Sequence, residues 1–125
     1  MSVEVCQERL EKLNAELDRI IGVLVNSYDP QKIILFGSLV SGSVHEWSDI
    51  DLIVVKESDK GFYDRLEEVA LLVMPKVGTD IFVYTPEEFE VKQDLLFFKE
   101  EVFGKGKVLY DVQASRYYTG RMLSV

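Results

Sequence analysis

Two aspartates one residue apart, Asp49 and Asp51, open an otherwise apolar run, Leu52-Ile53-Val54-Val55. Alternate residues of a strand share a face, so both carboxylates should project together, their Cα atoms roughly 6.5 Å apart. Like charges that close are unfavourable unless a cation or a proton lies between them. A second apolar run, Ile33-Ile34-Leu35-Phe36, leads into Gly37-Ser38. Gly37 permits a sharp turn with close backbone approach. Ser38 is placed to cap a short helix over residues 39–42, whose free N–H groups could meet a phosphate. Taken together, these stretches predict a divalent-metal site facing a phosphate-binding turn. Asp80 is a third carboxylate, on a strand Thr79 to Tyr84 where Asp80, Phe82 and Tyr84 share the face opposite Ile81 and Val83. Standing alone, Asp80 reads equally well as a solubilising edge-strand charge. Asp51 does not, because a carboxylate one step inside a strand of Ile, Leu and Val is costly unless paired or metal-bound.

The remaining polar and reactive residues carry less. His45 is the single histidine and sits in the loop 43–48, a surface position by default. Cys6 is the single cysteine, so neither an internal disulfide nor a cysteine-based zinc site is expected, in keeping with a cytoplasmic setting. It falls on an apolar helical stripe and reads as a small buried hydrophobe. The chain of 125 residues, 47% of them hydrophobic, has the size of one domain with a real core. A formal net charge of −8 argues against direct nucleic-acid binding, which needs a basic patch. No run approaches the ~18 apolar residues of a membrane span, and the acidic N-terminus has no signal-peptide pattern.

Around the candidate site the elements read in order. Cys6, Leu10, Leu13, Leu17, Ile20 and Leu24 recur at 4-3-4-3-4 spacing, an amphipathic helix from Val3 to about Ser27 with Ser2 as N-cap and Asp29-Pro30 as its stop. Strand one, Lys32–Phe36, is apolar throughout and should be buried on both faces. Phe62 to Met74 is a second amphipathic helix ended by Pro75. Thr85-Pro86-Glu87-Glu88 has the form of a capping box, opening a helical stretch to Phe103 with a break near Gln93-Asp94 and a stop at Gly104. Val108–Tyr110 is a short edge strand. The expected organisation is one domain over residues 1–112 and a polar tail over 113–125, disordered or partner-docking. The fold class is α/β (α+β), a mixed sheet with helices mainly on one face.

Gly37-Ser38, then Asp49-Ile50-Asp51, then Asp80 on the following strand resembles the signature of the DNA polymerase beta–like nucleotidyltransferase superfamily. Thr85 through Tyr110 is similar to the close of its small stand-alone members, the minimal nucleotidyltransferases (MNT) that serve as antitoxins of HEPN/MNT toxin–antitoxin pairs. The resemblance implies that Gly37 and Ser38 hold the triphosphate of ATP. It implies that Asp49 and Asp51 coordinate two Mg²⁺ ions, and that Asp80 binds one of them and helps activate the acceptor hydroxyl. Hard oxygen donors of this kind suit Mg²⁺, and two metals clamp the attacking and leaving oxygens in nucleotidyl transfer. The implied partner is a HEPN-type toxin, silenced by transfer of AMP to a tyrosine, in a homo- or hetero-oligomer.

One departure weakens the phosphate side. Many relatives read Gly-Ser-Arg-Ala-Arg-Gly where this chain has Leu39 and Ser41 in place of the arginines, and charge-assisted phosphate contacts are the stronger kind. Lys32, Lys56 or a partner's arginine are the candidate substitutes. The alternative is a non-catalytic antitoxin that masks its partner by contact. Small-molecule nucleotidyl transfer is disfavoured because no second domain exists to form a pocket, and a nucleic-acid polymerase is disfavoured by the acidity.

Overall fold

The computed structural model describes residues 3–42, 44, 48–114 and 116–117. Ser2, His45 and the side chain of Cys6 lie outside that description, so their expected roles do not enter below. Helix α1 (Val3–Ser27) is followed by strand β1 (Lys32–Phe36), the single turn α2 (Ser38–Ser41) and strand β2 (Ile50–Val55). Helix α3 (Phe62–Val73), strand β3 (Thr79–Tyr84) and helix α4 (Pro86–Lys92) come next. A π-helical segment (Phe98–Gly104), strand β4 (Lys107–Asp111), a 3₁₀ turn (Val112–Ala114) and strand β5 (Arg116–Tyr117) complete the order. Among the described residues no helix is long and apolar enough to cross a membrane.

The strands form a mixed sheet in the order β3-β2-β1-β4-β5. β1 is antiparallel to both β2 and β4, and β2 is parallel to β3 with α3 as the crossover. The continuous apolar character of β1 has the expected cause. Ile33 and Leu35 enter the core beneath α1 and α3, whereas Ile34 and Phe36 face a second cluster formed with Phe89, Phe98 and Val102. The two long helices thus cover one face, and α4 with the π-helical segment covers part of the other. β4 is not the edge expected of it, because the 3₁₀ turn brings Arg116 and Tyr117 back to pair with Asp111 and Tyr110. The edge on the site's side is β3.

Helix α1 buries Leu13, Leu17, Ile20, Ile21 and Leu24, but Leu10 is exposed. Among the described side chains the apolar stripe engages the core from Leu13 onward, and one turn earlier Arg9 reaches Ser48. The chain stops the helix as expected, with Asp29 at φ 52°, a left-handed conformation that aspartate tolerates, followed by Pro30. The capping box of α4 is present: the Glu88 N–H donates to Thr85 Oγ1 at 3.2 Å, and the Thr85 N–H donates to Glu88 Oε1 at 2.9 Å. Arg65, which the sequence pattern did not single out, is buried and donates to both Glu88 carboxylate oxygens (2.7 and 2.9 Å) and to Val83 O (2.6 Å). It locks α3 to the end of β3 and the start of α4.

A second polar lock ties α1 to the turn before β3. Buried Glu16 accepts from Arg19 at 2.7 and 2.9 Å and from the Lys76 N–H. The Arg19 hydrogen bond is the chief cause that lowers its carboxyl from 4.5 to about 2. A carboxyl that titrates lower when folded stabilises the fold fully above its unfolded value and loses that contribution as pH falls toward 2. Glu16→Gln is expected to cost about 1–2 kcal/mol at neutral pH, with the difference shrinking as urea-unfolding curves are taken to progressively lower pH.

Candidate active site

The site arises from two pairings. Antiparallel register sets Phe36 opposite Asp51, so the chain leaves β1 at Gly37 beside that carboxylate. Parallel register sets Asp51 opposite Asp80. Asp51 therefore stands between the glycine turn and a second carboxylate. The turn depends on glycine: Gly37 has φ 84° and ψ −158°, a region open essentially to glycine alone. A Cβ there would lie 2.3 Å from Asp51 Oδ2. The same device recurs two residues earlier on the other side of β2, where a Cβ on Gly78 would lie 2.2 Å from Asp49 Oδ1. Gly78-Thr79-Asp80 mirrors Asp49-Ile50-Asp51 across the parallel pair, a sequence signal that could have marked Gly78 once β2 and β3 were taken as neighbours.

Asp51 is partly buried, and burial is the first cause that raises its carboxyl from 3.8 to about 6. The charges of Asp80 and Asp49 and a hydrogen bond with Asp80 push the same way. The chain thus holds a carboxylate whose ionised form is opposed by low polarity and by two like charges, a combination that a hard divalent cation would relieve. The all-oxygen donor set fits such an ion. Asp51 and Asp80 are hydrogen-bonded to each other, whereas Asp49 acts on Asp51 through its charge. Its carboxylate is about half exposed, backs onto Gly78 and lies 3.7 Å from the Arg9 guanidinium. Among the described residues no three His, Cys, Asp or Glu side chains are gathered closely enough to hold a metal ion.

The glycine turn differs from expectation in one respect. Gly37, not Ser38, is the N-cap of α2, and no side chain caps it. Ser38 is the first helical residue because the glycine alone can adopt the required dihedrals. The turn's hydrogen bonds begin with the N–H groups of Val40 and Ser41, which donate to Gly37 O at 3.2 and 3.1 Å, leaving those of Ser38 and Leu39 at the head of the turn. Leu39 and Val40 pack on the main core. The position where relatives carry an arginine is thus used here to anchor the turn.

Neither lysine named as a substitute reaches this turn. Lys32 is in register with Val55, at the far end of β1 and β2, and pairs with Asp111 at 3.9 Å. Lys56 follows Val55 and lies over the Tyr28 ring, 5.0 Å from its centroid. Four strand residues separate each from the site end, about 13 Å along the strand.

Beside the carboxylates a pocket of about 400 Å³ opens, lined by Phe36, Asp51, Ile53, Asp80, Phe82, Tyr84, Phe97 and Phe98. Phe97 meets Phe36 edge to face, ring centroids 5.8 Å apart, and is 51% exposed at the rim. Phe82 and Tyr84 were legible as sharing the face of Asp80. Phe97 and Phe98 were not, because the start of a π-helical segment distant in sequence, with the residue that caps it, brings them there.

The sequence profile of the family described as Polymerase beta, Nucleotidyltransferase matches residues 18–115. A Methanocaldococcus jannaschii protein carrying the name protein adenylyltransferase MJ0604 is 35% identical over 81 residues, 64% of this chain and 78% of that protein. The fold is similar to that of a Sulfolobus solfataricus protein described as a nucleotidyltransferase, with TM-score 0.64, 17% identity and coverage of 87% of this chain and 89% of that one. It is also similar to a chain of the toxin–antitoxin MntA–HpeT, with TM-score 0.53, 23% identity and coverage of 87% and 80%. A mixed sheet with Asp51 set between a glycine turn and Asp80, together with a family match that spans most of the chain, makes this protein a member of the polymerase beta nucleotidyltransferase family.

Proposed function

We propose that the chain transfers AMP from ATP to a tyrosine of a partner HEPN-type toxin, as the antitoxin of the pair. The observation that carries this reading is the placement of Asp51 between the Gly37 turn and Asp80. Asp49, Asp51 and Asp80 would hold Mg²⁺, which supplies charge neutralisation at the triphosphate. Gly37 and Ser38 would seat the phosphates at the head of α2. In the transfer, the tyrosine oxygen forms a bond to the α-phosphorus as the bond from that phosphorus to the pyrophosphate oxygen breaks. Pyrophosphate departs, and the phenolic proton passes to the Asp80 carboxylate, the exposed member of the pair. The aromatic pocket beside Asp80 supports a ring-bearing acceptor. The name of the M. jannaschii relative supports a protein acceptor, and the MntA–HpeT neighbour supports a toxin as partner.

A second reading, masking of the partner without catalysis, has its own support: Leu39 and Ser41 replace the arginines, and Lys32 and Lys56 lie at the wrong end of the sheet. Incubation of the chain with α-labelled ATP, Mg²⁺ and the toxin encoded beside it separates the two. Label on a toxin tyrosine, lost in Asp49→Asn/Asp51→Asn together with neutralisation, is the expected result. Absence of label, with the double variant still neutralising the toxin, would leave the masking reading standing alone.

A further inference from the structure

Arg9 projects from the first third of α1, next to the exposed Leu10. Its side chain is nevertheless largely covered, 19% exposed. Two of its nitrogens donate to one carbonyl: Nε to Ser48 O at 3.0 Å and Nη2 to Ser48 O at 2.6 Å. Ser48 is buried and immediately precedes Asp49. The same Nη2 lies 3.7 Å from Asp49 Oδ1, too long for a hydrogen bond but close enough for charge attraction. On its other side Asp49 has Gly78, whose carbonyl accepts the Ile50 N–H at 3.0 Å.

We propose that Arg9 is a positioning residue for Asp49: by clamping the Ser48 carbonyl it fixes the backbone from which the Asp49 carboxylate projects toward the site. The planar guanidinium, with donors in a fixed fork, suits a two-point hold on one oxygen better than a lysine ammonium would. Its charge also offsets that of Asp49 beside two further carboxylates. The inference rests on the nucleotidyltransferase reading for the purpose of the clamp, but the clamp itself is testable without it.

Two measurements on the full chain decide the matter. The first is amide hydrogen exchange without metal or nucleotide. Arg9→Ala is expected to speed exchange of the Ile50 N–H by about tenfold while leaving Leu52 to Val54 in the same strand unchanged. Equal protection of Ile50 in both proteins, or faster exchange along all of β2, overturns the clamp. The second is Mn²⁺ binding in the presence of a non-hydrolysable ATP analogue, followed by the electron paramagnetic resonance of free Mn²⁺. Arg9→Ala is expected to weaken Mn²⁺ about tenfold, with Arg9→Lys recovering part of that loss. Asp49→Asn should weaken it comparably, and the double variant should be no weaker than Asp49→Asn alone. Losses that multiply in the double variant would show that Arg9 acts other than through Asp49 and would overturn the proposal. Failure of the wild-type chain to take up Mn²⁺ would instead count against the metal-dependent reading, and the Ile50 exchange would still decide for or against the clamp.

Discussion

Asp51→Asn is expected to reduce nucleotidyl transfer by at least about a hundredfold, the scale of losing one preorganised group at a charge-developing centre, while making the protein more stable near neutral pH. Activity falls because the substitution removes the carboxylate set between Gly37 and Asp80. Stability rises because the native chain pays for that carboxylate: burial and the charges of Asp80 and Asp49 raise it to about 6 from 3.8. Since Asp51 holds its proton to higher pH when folded than when unfolded, the penalty is absent below about 4, grows as pH rises to about 6 and is complete above it. Asparagine keeps the shape and a hydrogen-bonding group without the charge. A gain of about 1–2 kcal/mol at pH above the transition, after allowance for partial solvent screening, is the expected size. It should vanish in acid. Thermal melts of both proteins across this pH range check the sign. Millimolar Mg²⁺ should raise the melting temperature of the wild-type chain more than that of the variant, because only the former has the full set of carboxylates to bind it. An Asp51→Asn protein less stable than wild type at neutral pH would contradict the electrostatic account.

Gly37→Ala is expected to lose about 2–3 kcal/mol of stability and to abolish nucleotide binding. Two costs coincide there. The dihedrals φ 84° and ψ −158° exclude side chains, and the added Cβ would sit 2.3 Å from Asp51 Oδ2. The chain can relieve the strain only by moving the turn, the carboxylate or both. Gly42 is the internal comparison. It closes α2 at φ 83° and ψ 7°, an ordinary left-handed cap, and a Cβ there would meet nothing within 4 Å. Gly42→Ala should therefore cost only about 1 kcal/mol and retain nucleotide binding. Denaturant unfolding and calorimetric titration with ATP and Mg²⁺ on the two variants separate backbone strain from the clash with Asp51. If both variants bind equally well, the approach of Gly37 to the carboxylate has no bearing on the site.

Much of the molecule could be read from short-range pattern. The apolar spacing of α1, the all-apolar β1, the Thr85/Glu88 capping box and the aspartates at i and i+2 each depend on residues within about ten positions of one another. Side-chain periodicity and cap chemistry act over that range. The order Gly37-Ser38, Asp49, Asp51, Asp80 was therefore visible as a candidate site, and with it the family.

What tertiary structure decided was which of those residues meet. The antiparallel register that sets Phe36 opposite Asp51 also sends Lys32 and Lys56 to the other end of the strands, so the cations expected to serve the phosphate turn cannot. Asp49 and Asp51 share a strand face by local rule, yet their partners differ: Asp51 has Asp80, whereas Asp49 has Gly78 and an arginine from α1, 40 residues earlier (Arg9 against Asp49). Helix packing places Arg9, and the start of the π-helical segment with its N-cap places Phe98 and Phe97 beside Asp80. None of this has a local signature, because register and helix placement are set by burial summed over the whole core. The sequence by itself marked three carboxylates and a glycine turn as candidates for one site; only the packing of distant elements decided that Asp51 and Asp80 meet, that Arg9 of α1 lies beside Asp49, and that an aromatic wall stands beside them.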